Sequence, residues 1–323
     1  MNFQFLGTSS GLPTHSRNVS GLVMQFDQEK EWLQFDCGEA TQHQLLKTRF
    51  SPAKLSRIFI THLHGDHTYG LFGLLATRSL NGSKEPLQII GPTGIKEMVE
   101  TVLRISQCNL VYDMDFFEIG KDGNSITLPK AKVKFIKLEH SIETFAFLIE
   151  ENPKKGKFRV EKAKKMGITP GPIYGKLKAG ESVKLDSGEV VDGKDFVEEP
   201  IPGRKIIIAG DNQDPKILAS YLKNCDLLVH EASYTEKVKE NLGGKYFHSS
   251  AQSVASVSEK AGVKNLLLTH FSARFSLDFS RKQIHTMQEI KDEVEANYTG
   301  NFFLAKDLDE YCLNRNGKLI RKK

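Results

Sequence analysis

Residues 61–67 read Thr-His-Leu-His-Gly-Asp-His and follow directly on the apolar run Ile58-Phe59-Ile60. Such a loop packs together the nitrogen and oxygen donors that a zinc-like cation takes as ligands. The spacing explains how one short segment can present them. His62 and His64 lie two apart, so in an extended chain they point to the same side. Gly65 lets the chain turn sharply, and Asp66 and His67 then face a second position. The loop reads as a site for two metals, an arrangement that activates water and clamps a phosphate or carbonyl for hydrolysis. A surface cluster of histidines is the plain alternative. The strand-to-loop context and further candidate ligands downstream favour metal.

The chain is long enough, at 323 residues, for one large domain or two small ones. An apolar content of 39 percent with 26 percent charge fits a soluble globular enzyme. The N-terminus has no basic stretch followed by an apolar one, so no signal peptide is expected. No apolar run approaches the roughly 18 residues that span a bilayer. Cys37, Cys108, Cys225 and Cys312 are scattered and show no CxxC. A cytoplasmic location and a metal site without thiolate follow as expectations.

Short β-rich runs alternate with helical stretches. Strands are expected at 2–7, 21–26, 32–35, 58–61, 88–90, 133–138, 145–149, 204–210, 226–230 and 265–269. Helices are expected at 94–106, 215–222, 249–261 and 280–295, with Ser249 and Ser250 suited to capping the third. Several early strands follow one another through tight turns, which predicts an α/β fold of mixed sheets flanked by helices rather than a purely parallel sheet. In the second half one device recurs: an apolar strand ends in a potential ligand. His140 follows Phe135–Leu138, Asp211 follows Ile206–Ile208, and His270 follows Leu266–Leu268. Strand ends are stiff, and their loops can hold distant residues to metal geometry.

The HxHxDH loop with these strand-end ligands resembles the metallo-β-lactamase superfamily, which implies an αββα sandwich with its site at one edge between two sheets. The resemblance implies seven ligands. His62, His64 and His140 would hold one Zn2+, Asp66, His67 and His270 a second, and Asp211 would bridge both. His/Asp ligands also admit Mn2+ or Fe2+.

Three further segments narrow the likeness: Gly7-Thr8-Ser9-Ser10-Gly11-Leu12-Pro13-Thr14 leading into Arg17-Asn18-Val19-Ser20, the stretch Gly167–Gly180 with its Pro170-Gly171-Pro172 core, and His248-Ser249-Ser250 with His270–Phe275. Together these resemble the ribonuclease Z family in its short form, over residues 2 to about 307. The resemblance implies a single metallo-β-lactamase-like domain over 1–323 with an inserted arm at 151–200 that grips tRNA far from the metals. It also implies a homodimer in which one subunit's arm serves the other's site. The charge pattern agrees with such an arm. Residues 154–178 carry nine basic residues and one acid, Glu161, which leaves −3 on the rest of a chain totalling +5. Clustered lysines bind phosphates without reading sequence. Lys154, Lys155, Lys157, Lys164, Lys165, Lys176 and Lys178 are the candidates, with Pro170, Gly171 and Pro172 setting a turn at the tip. Phe158 and Tyr174 are expected to pack within the arm. A solvated loop without a partner is the bland alternative.

The implied reaction is hydrolysis of precursor tRNA after the discriminator nucleotide, leaving a 3′-hydroxyl tRNA and a 5′-phosphate trailer. Asp66 would orient or deprotonate the attacking water. His248 is the candidate general acid, phosphate contact or capping neighbour, and Arg274 a phosphate or nucleotide contact. His230, Asp36 and Glu39 are expected to orient ligands, while His15, His43 and His285 are structural or superficial. No organic cofactor and no membrane are expected. The competing readings are a hydrolase of small esters, such as an arylsulfatase or cyclic-nucleotide phosphodiesterase, and a non-catalytic RNA-binding protein on a decayed hydrolase fold.

Overall fold

The computed structural model describes residues 1–185, 187–243, 247–275 and 285–322. The chain forms two compact units, one of residues 1–150 with 205–323 and one of residues 151–204. In the larger unit, eight strands form a sheet in the order Leu319–Arg321, Glu310–Leu313, Asn2–Gly7, Gly21–Gln25, Trp32–Cys37, Leu55–Phe59, Leu87–Gly91 and Met114–Glu118. Its first half pairs antiparallel and its second half parallel. A second sheet of seven strands runs Asn301–Leu304, Asn265–Thr269, Leu227–Glu231, Lys205–Ala209, Phe145–Glu151, Ala131–Lys137 and Ser125–Thr127.

The strand sequences dictate which faces are covered. Ile206 and Ile208 point into a core shared with Phe5, Phe35 and Phe59 of the first sheet. Ile207, between them, points the other way and joins Leu228, Leu266, Val254 and Val294. Side chains alternate with a period of two along a strand, so an unbroken apolar run is buried on both faces. The outer face of the second sheet is covered by the helices Ala251–Ala261 and Met287–Asn297. The first sheet is covered by Leu71–Leu80 and Ile95–Ile105, through Leu71, Leu74, Leu75, Ile95 and Val99. The layers are therefore helix, sheet, sheet, helix. Ser250, not Ser249, caps the helix Ala251–Ala261, accepting from the Ser253 N–H at 3.1 Å. The segment expected as a helix at 215–222 is only a 3-10 turn over Pro215–Leu218. The expected start at Ser280 lies outside the described residues. The helix itself is Met287–Asn297, begun by a capping box of Thr286 and Glu289.

The smaller unit has its own core of Ala163, Ile168, Leu177, Val183, Val191 and Phe196. Phe158 packs on Tyr174 at 4.9 Å between ring centroids. The unit holds the helices Val160–Lys165 and Pro172–Ala179 and a two-stranded ribbon, Val183–Lys184 with Val190–Val191. Its two ends are joined by the buried pair Glu151 and Arg204, with Nε and Nη2 each 2.8 Å from a carboxylate oxygen. An unstructured loop would have neither. Charge within the unit is divided. Residues 179–200 carry seven acids against two lysines, so the unit's twelve basic and nine acidic residues leave +3, and the larger unit +2. The −3 expected outside 154–178 thus lies in the second half of the arm and not on the sandwich.

Candidate metal centre

The strand ends of both sheets bring the sequence-expected donors to one place. The 61–67 loop leaves the strand Leu55–Phe59, Asp211 follows Lys205–Ala209, and His270 follows Asn265–Thr269. Asp66 and His67 lie on a single helical turn, Gly65–Thr68. A Cβ at position 65 would sit 2.3 Å from the ring of the exposed Tyr69, so that side chain would have to swing away to admit one.

Four histidines of the cluster each have Nδ1 tied down. The Thr61 hydroxyl donates to Asp36, so His62 Nδ1–H donates to Thr61 Oγ1 at 2.9 Å. His67 Nδ1 donates to Asp36 Oδ2 at 2.8 Å. His140 Nδ1 donates to the Phe247 carbonyl at 2.8 Å. His270 Nδ1 faces Ser233 Oγ at 3.1 Å, while that hydroxyl is 2.5 Å from Glu231 Oε2. In all four, Nε2 is left to present a lone pair. His62 Nε2 is fully buried and has no hydrogen-bond partner among the described residues. Burial, then the neighbouring histidines, push the His62 pKa well below its usual value, which keeps the ring neutral and able to ligate.

The free donor atoms form two groups. A tetrahedral centre about 2.1 Å from N and O ligands sets those ligands about 3.4 Å apart. His67 Nε2 and His270 Nε2 are 3.2 Å apart. Asp66 Oδ2 is 3.4 Å from each of these nitrogens. Asp211 Oδ1 lies 3.5 and 3.4 Å from the same two atoms. In the second group, Asp211 Oδ2 is 3.6 Å from His62 Nε2 and 3.8 Å from His140 Nε2. His140 Nε2 is in turn 3.3 Å from His64, which turns Nδ1 inward. One carboxylate thus offers a different oxygen to each group. Burial opposes a charged His67, but Asp211, Asp36 and Asp66 outweigh it and hold its pKa well above the usual value. Three carboxylates round one imidazole are a surplus of negative charge that a dication would neutralise. The donor set, its spacing and the orphaned His62 nitrogen fit a divalent metal.

His248 stands beside the cluster, its Nδ1 3.1 Å from Glu231 and 3.7 Å from Asp211 Oδ2. Burial disfavours its charge, but Glu231 and Asp211 prevail and raise its pKa to about 9. Glu231 has no counterpart among the sequence-based candidates. It is buried and also accepts from the Asn212 N–H at 2.8 Å. The available signal is its position: it ends the strand Leu227–Glu231 as the other candidate ligands follow theirs. His230 reaches Asn212 Nδ2 at 3.2 Å rather than a donor group. Glu39 does not orient a ligand with its carboxylate; its side chain is exposed and its backbone carbonyl accepts from Asn18. Arg274 is exposed, with Nη1 3.5 Å from Ser272 Oγ. Lys154, Lys155, Lys157, Lys164, Lys165, Pro170, Gly171, Pro172, Lys176 and Lys178 are all exposed on the smaller unit. Lys164 lies 3.0 Å from Glu161.

The chain is 46% identical over 322 residues to ribonuclease Z of Brevibacillus brevis, covering 98% of both chains. It belongs to the ribonuclease Z family. Among solved structures it resembles human tRNase Z, short form, at 26% identity and TM-score 0.66, over 97% of this chain and all of that one. A metallo-β-lactamase fold protein of Bacillus subtilis, 16% identical, shares the fold with TM-score 0.65 over 96% of this chain and 97% of that one. A family model described as anti-Pycsar protein Apyc1 matches residues 1–154, under half of the chain. The fold is therefore the αββα metallo-β-lactamase sandwich that the HxHxDH loop led one to expect. That fold implies a divalent metal, and the ribonuclease Z kinship spans 98% of the chain, residues 151–204 included.

Proposed function

We propose that this chain is a metal-dependent endoribonuclease that removes the 3′ trailer of precursor tRNA by hydrolysing the phosphodiester after the discriminator nucleotide. The observation that carries this is full-length ribonuclease Z kinship in a chain whose seven expected donors converge in two groups. His62, His64 and His140 would hold one zinc ion, Asp66, His67 and His270 another, with Asp211 shared between them. Bound there, the ions would supply Lewis acidity toward water and phosphate. Asp66 receives the proton of the attacking water, and His248 delivers its own to the departing 3′-oxygen of the tRNA. Glu231 supports the second role, because its carboxylate favours the protonated ring. Arg274 and the exposed lysines and Pro-Gly-Pro turn of residues 151–204 would bind the RNA. The family kinship further supports a homodimer whose arms serve opposite sites, and the four free cysteines support a reducing cytoplasm. No described helix is long and apolar enough to cross a membrane.

Precursor tRNA carrying a 3′ extension tests the reading. Cleavage should stop with chelator, return with zinc, and yield a 3′-hydroxyl on the tRNA and a 5′-phosphate on the trailer. Hydrolysis of small phosphodiesters alone would favour the small-ester reading instead.

A further inference from the structure

The loop from Thr8 to Asn18 takes no part in the chemistry above, yet it reaches the metal centre at two points. The Gly11 N–H donates to Asp66 Oδ2 at 2.8 Å. Ser9–Ser10 pairs in parallel with Phe271–Ser272, directly after His270, and the Phe271 N–H donates to the Thr8 carbonyl at 2.9 Å. Both ends of the loop are lashed to the C-terminal part of the chain, through the buried Thr8 hydroxyl at one end and through Arg17 and the Asn18 N–H at the other. Thr8 Oγ1 donates to Asp307 Oδ1 at 2.7 Å and accepts from Arg17 Nη1 at 2.5 Å. Asp307 Oδ2 also accepts from the Asn18 N–H at 2.6 Å and from Gln44 at 3.0 Å. Arg17 donates further to the Ala305 carbonyl at 2.9 Å, and its guanidinium lies 4.9 Å from the centre of the Phe271 ring. Thr8 is fully buried.

We infer that Thr8, Arg17 and Asp307 are positioning residues: by clasping the 8–18 loop they aim the Gly11 N–H at Asp66 and fix the backbone beside His270. This rests on the assignment of Asp66 and His270 as ligands. Asp66 Oδ2 is the atom that faces His67 and His270, so a backbone N–H on that oxygen opposes rotation of the carboxylate away from them. A loosened clasp leaves the carboxylate free to turn, and the effect falls on the Asp66/His67/His270 group alone. Side chains held by fixed supporting hydrogen bonds keep metal sites to the required geometry.

Two near-isosteric changes at one position provide the test. Thr8→Val keeps the shape and removes both hydrogen bonds, while Thr8→Ser keeps the hydroxyl. Metal affinity is measured by chelator competition on the whole chain, alongside turnover of methyl p-nitrophenyl phosphate. Thr8→Val should weaken one of the two zinc sites about tenfold or more, the scale seen for lost supporting partners. The other zinc should stay within twofold, turnover should fall in step with the weakened site, and Thr8→Ser should match the parent. Parental zinc affinity in Thr8→Val overturns the inference, as does an equal loss in Thr8→Ser, which would place the effect in packing. If Thr8→Val does not fold, Asp307→Asn carries the same test, since it removes one of the clasp's carboxylate acceptors. Zinc affinity is read without RNA. An absence of tRNA cleavage by the parent protein would sink the proposed function and leave this inference standing.

Discussion

A buried nitrogen lone pair with no partner is costly unless something binds it, and His62 Nε2 is such an atom. Asp211 stands 3.6 Å away and faces both donor groups. Asp211→Ala is expected to remove most bound metal and nearly all cleavage, read by elemental analysis of the purified protein. Two ions retained per chain in an active variant would show that no bridge is needed. His248 makes a different prediction because it belongs to neither tetrahedral set. His248→Ala should lower turnover by about 10² or more with metal content and tRNA affinity near normal. A loss confined to affinity would make it a phosphate contact. At this scale the sequence was most legible where several donors fall in one short loop. Glu231 and the Gly11 N–H were not legible. A single carboxylate at a strand end, or a backbone amide, becomes informative only once the fold sets it beside a ligand.

Elements were legible where burial leaves a strong pattern. The runs 2–7 and 265–269 read as strands and are strands over those residues. The helix Leu71–Leu80 was not expected, although Leu71, Leu74, Leu75 and Arg78 are its buried face. Gly73 argues against a helix by propensity. A Cβ there would lie 2.2 Å from Gln42 Oε1, so the Gln42 side chain packs where a larger residue would displace it. The C-terminal strands Glu310–Leu313 and Leu319–Arg321 are short and carry charge, and their partner Asn2–Gly7 lies at the other end of the chain. Another element draws support from outside its own sequence. The helix Ile95–Ile105 begins at Gly94, whose N–H donates to Glu118 Oε1 at 2.7 Å. Burial alone would raise the Glu118 pKa, but that N–H and Lys121 outweigh it and lower it below 4.5. A lowered carboxylate pKa stabilises the fold above the unfolded value and loses that contribution as pH falls through the folded one. Glu118→Gln should therefore cost about 1 kcal/mol at pH 7, the scale of a charge at a helix N-terminus. The difference from the parent should vanish at strongly acidic pH, as urea unfolding across a pH series would show. A pH-independent difference would mean that the glutamate acts through shape alone.

At the scale of the molecule, the basic stretch 154–178 showed in the sequence that something is inserted between His140 and Asp211. Composition could not show that the insertion folds, since its core of Leu177, Phe196 and Ile168 is assembled from residues far apart in the sequence. Nor did it place the compensating acids, which lie in the same unit at 179–200. The way the unit is attached makes a clean deletion feasible. Glu150 and Lys205 are paired across the antiparallel strands Phe145–Glu151 and Lys205–Ala209. Residues 151–204 can be replaced by Asn-Gly, a sequence that closes such hairpins with a two-residue turn. None of the seven expected donors is lost, so metal content and hydrolysis of bis-p-nitrophenyl phosphate should stay close to those of the parent. Precursor tRNA affinity should fall at least 10²-fold at moderate salt. If about four phosphate contacts are lost, the slope of log affinity against log salt should flatten by about three units. Equal loss of both activities would mean that the unit supports the metal centre, and an unchanged tRNA affinity would reject its role in binding RNA.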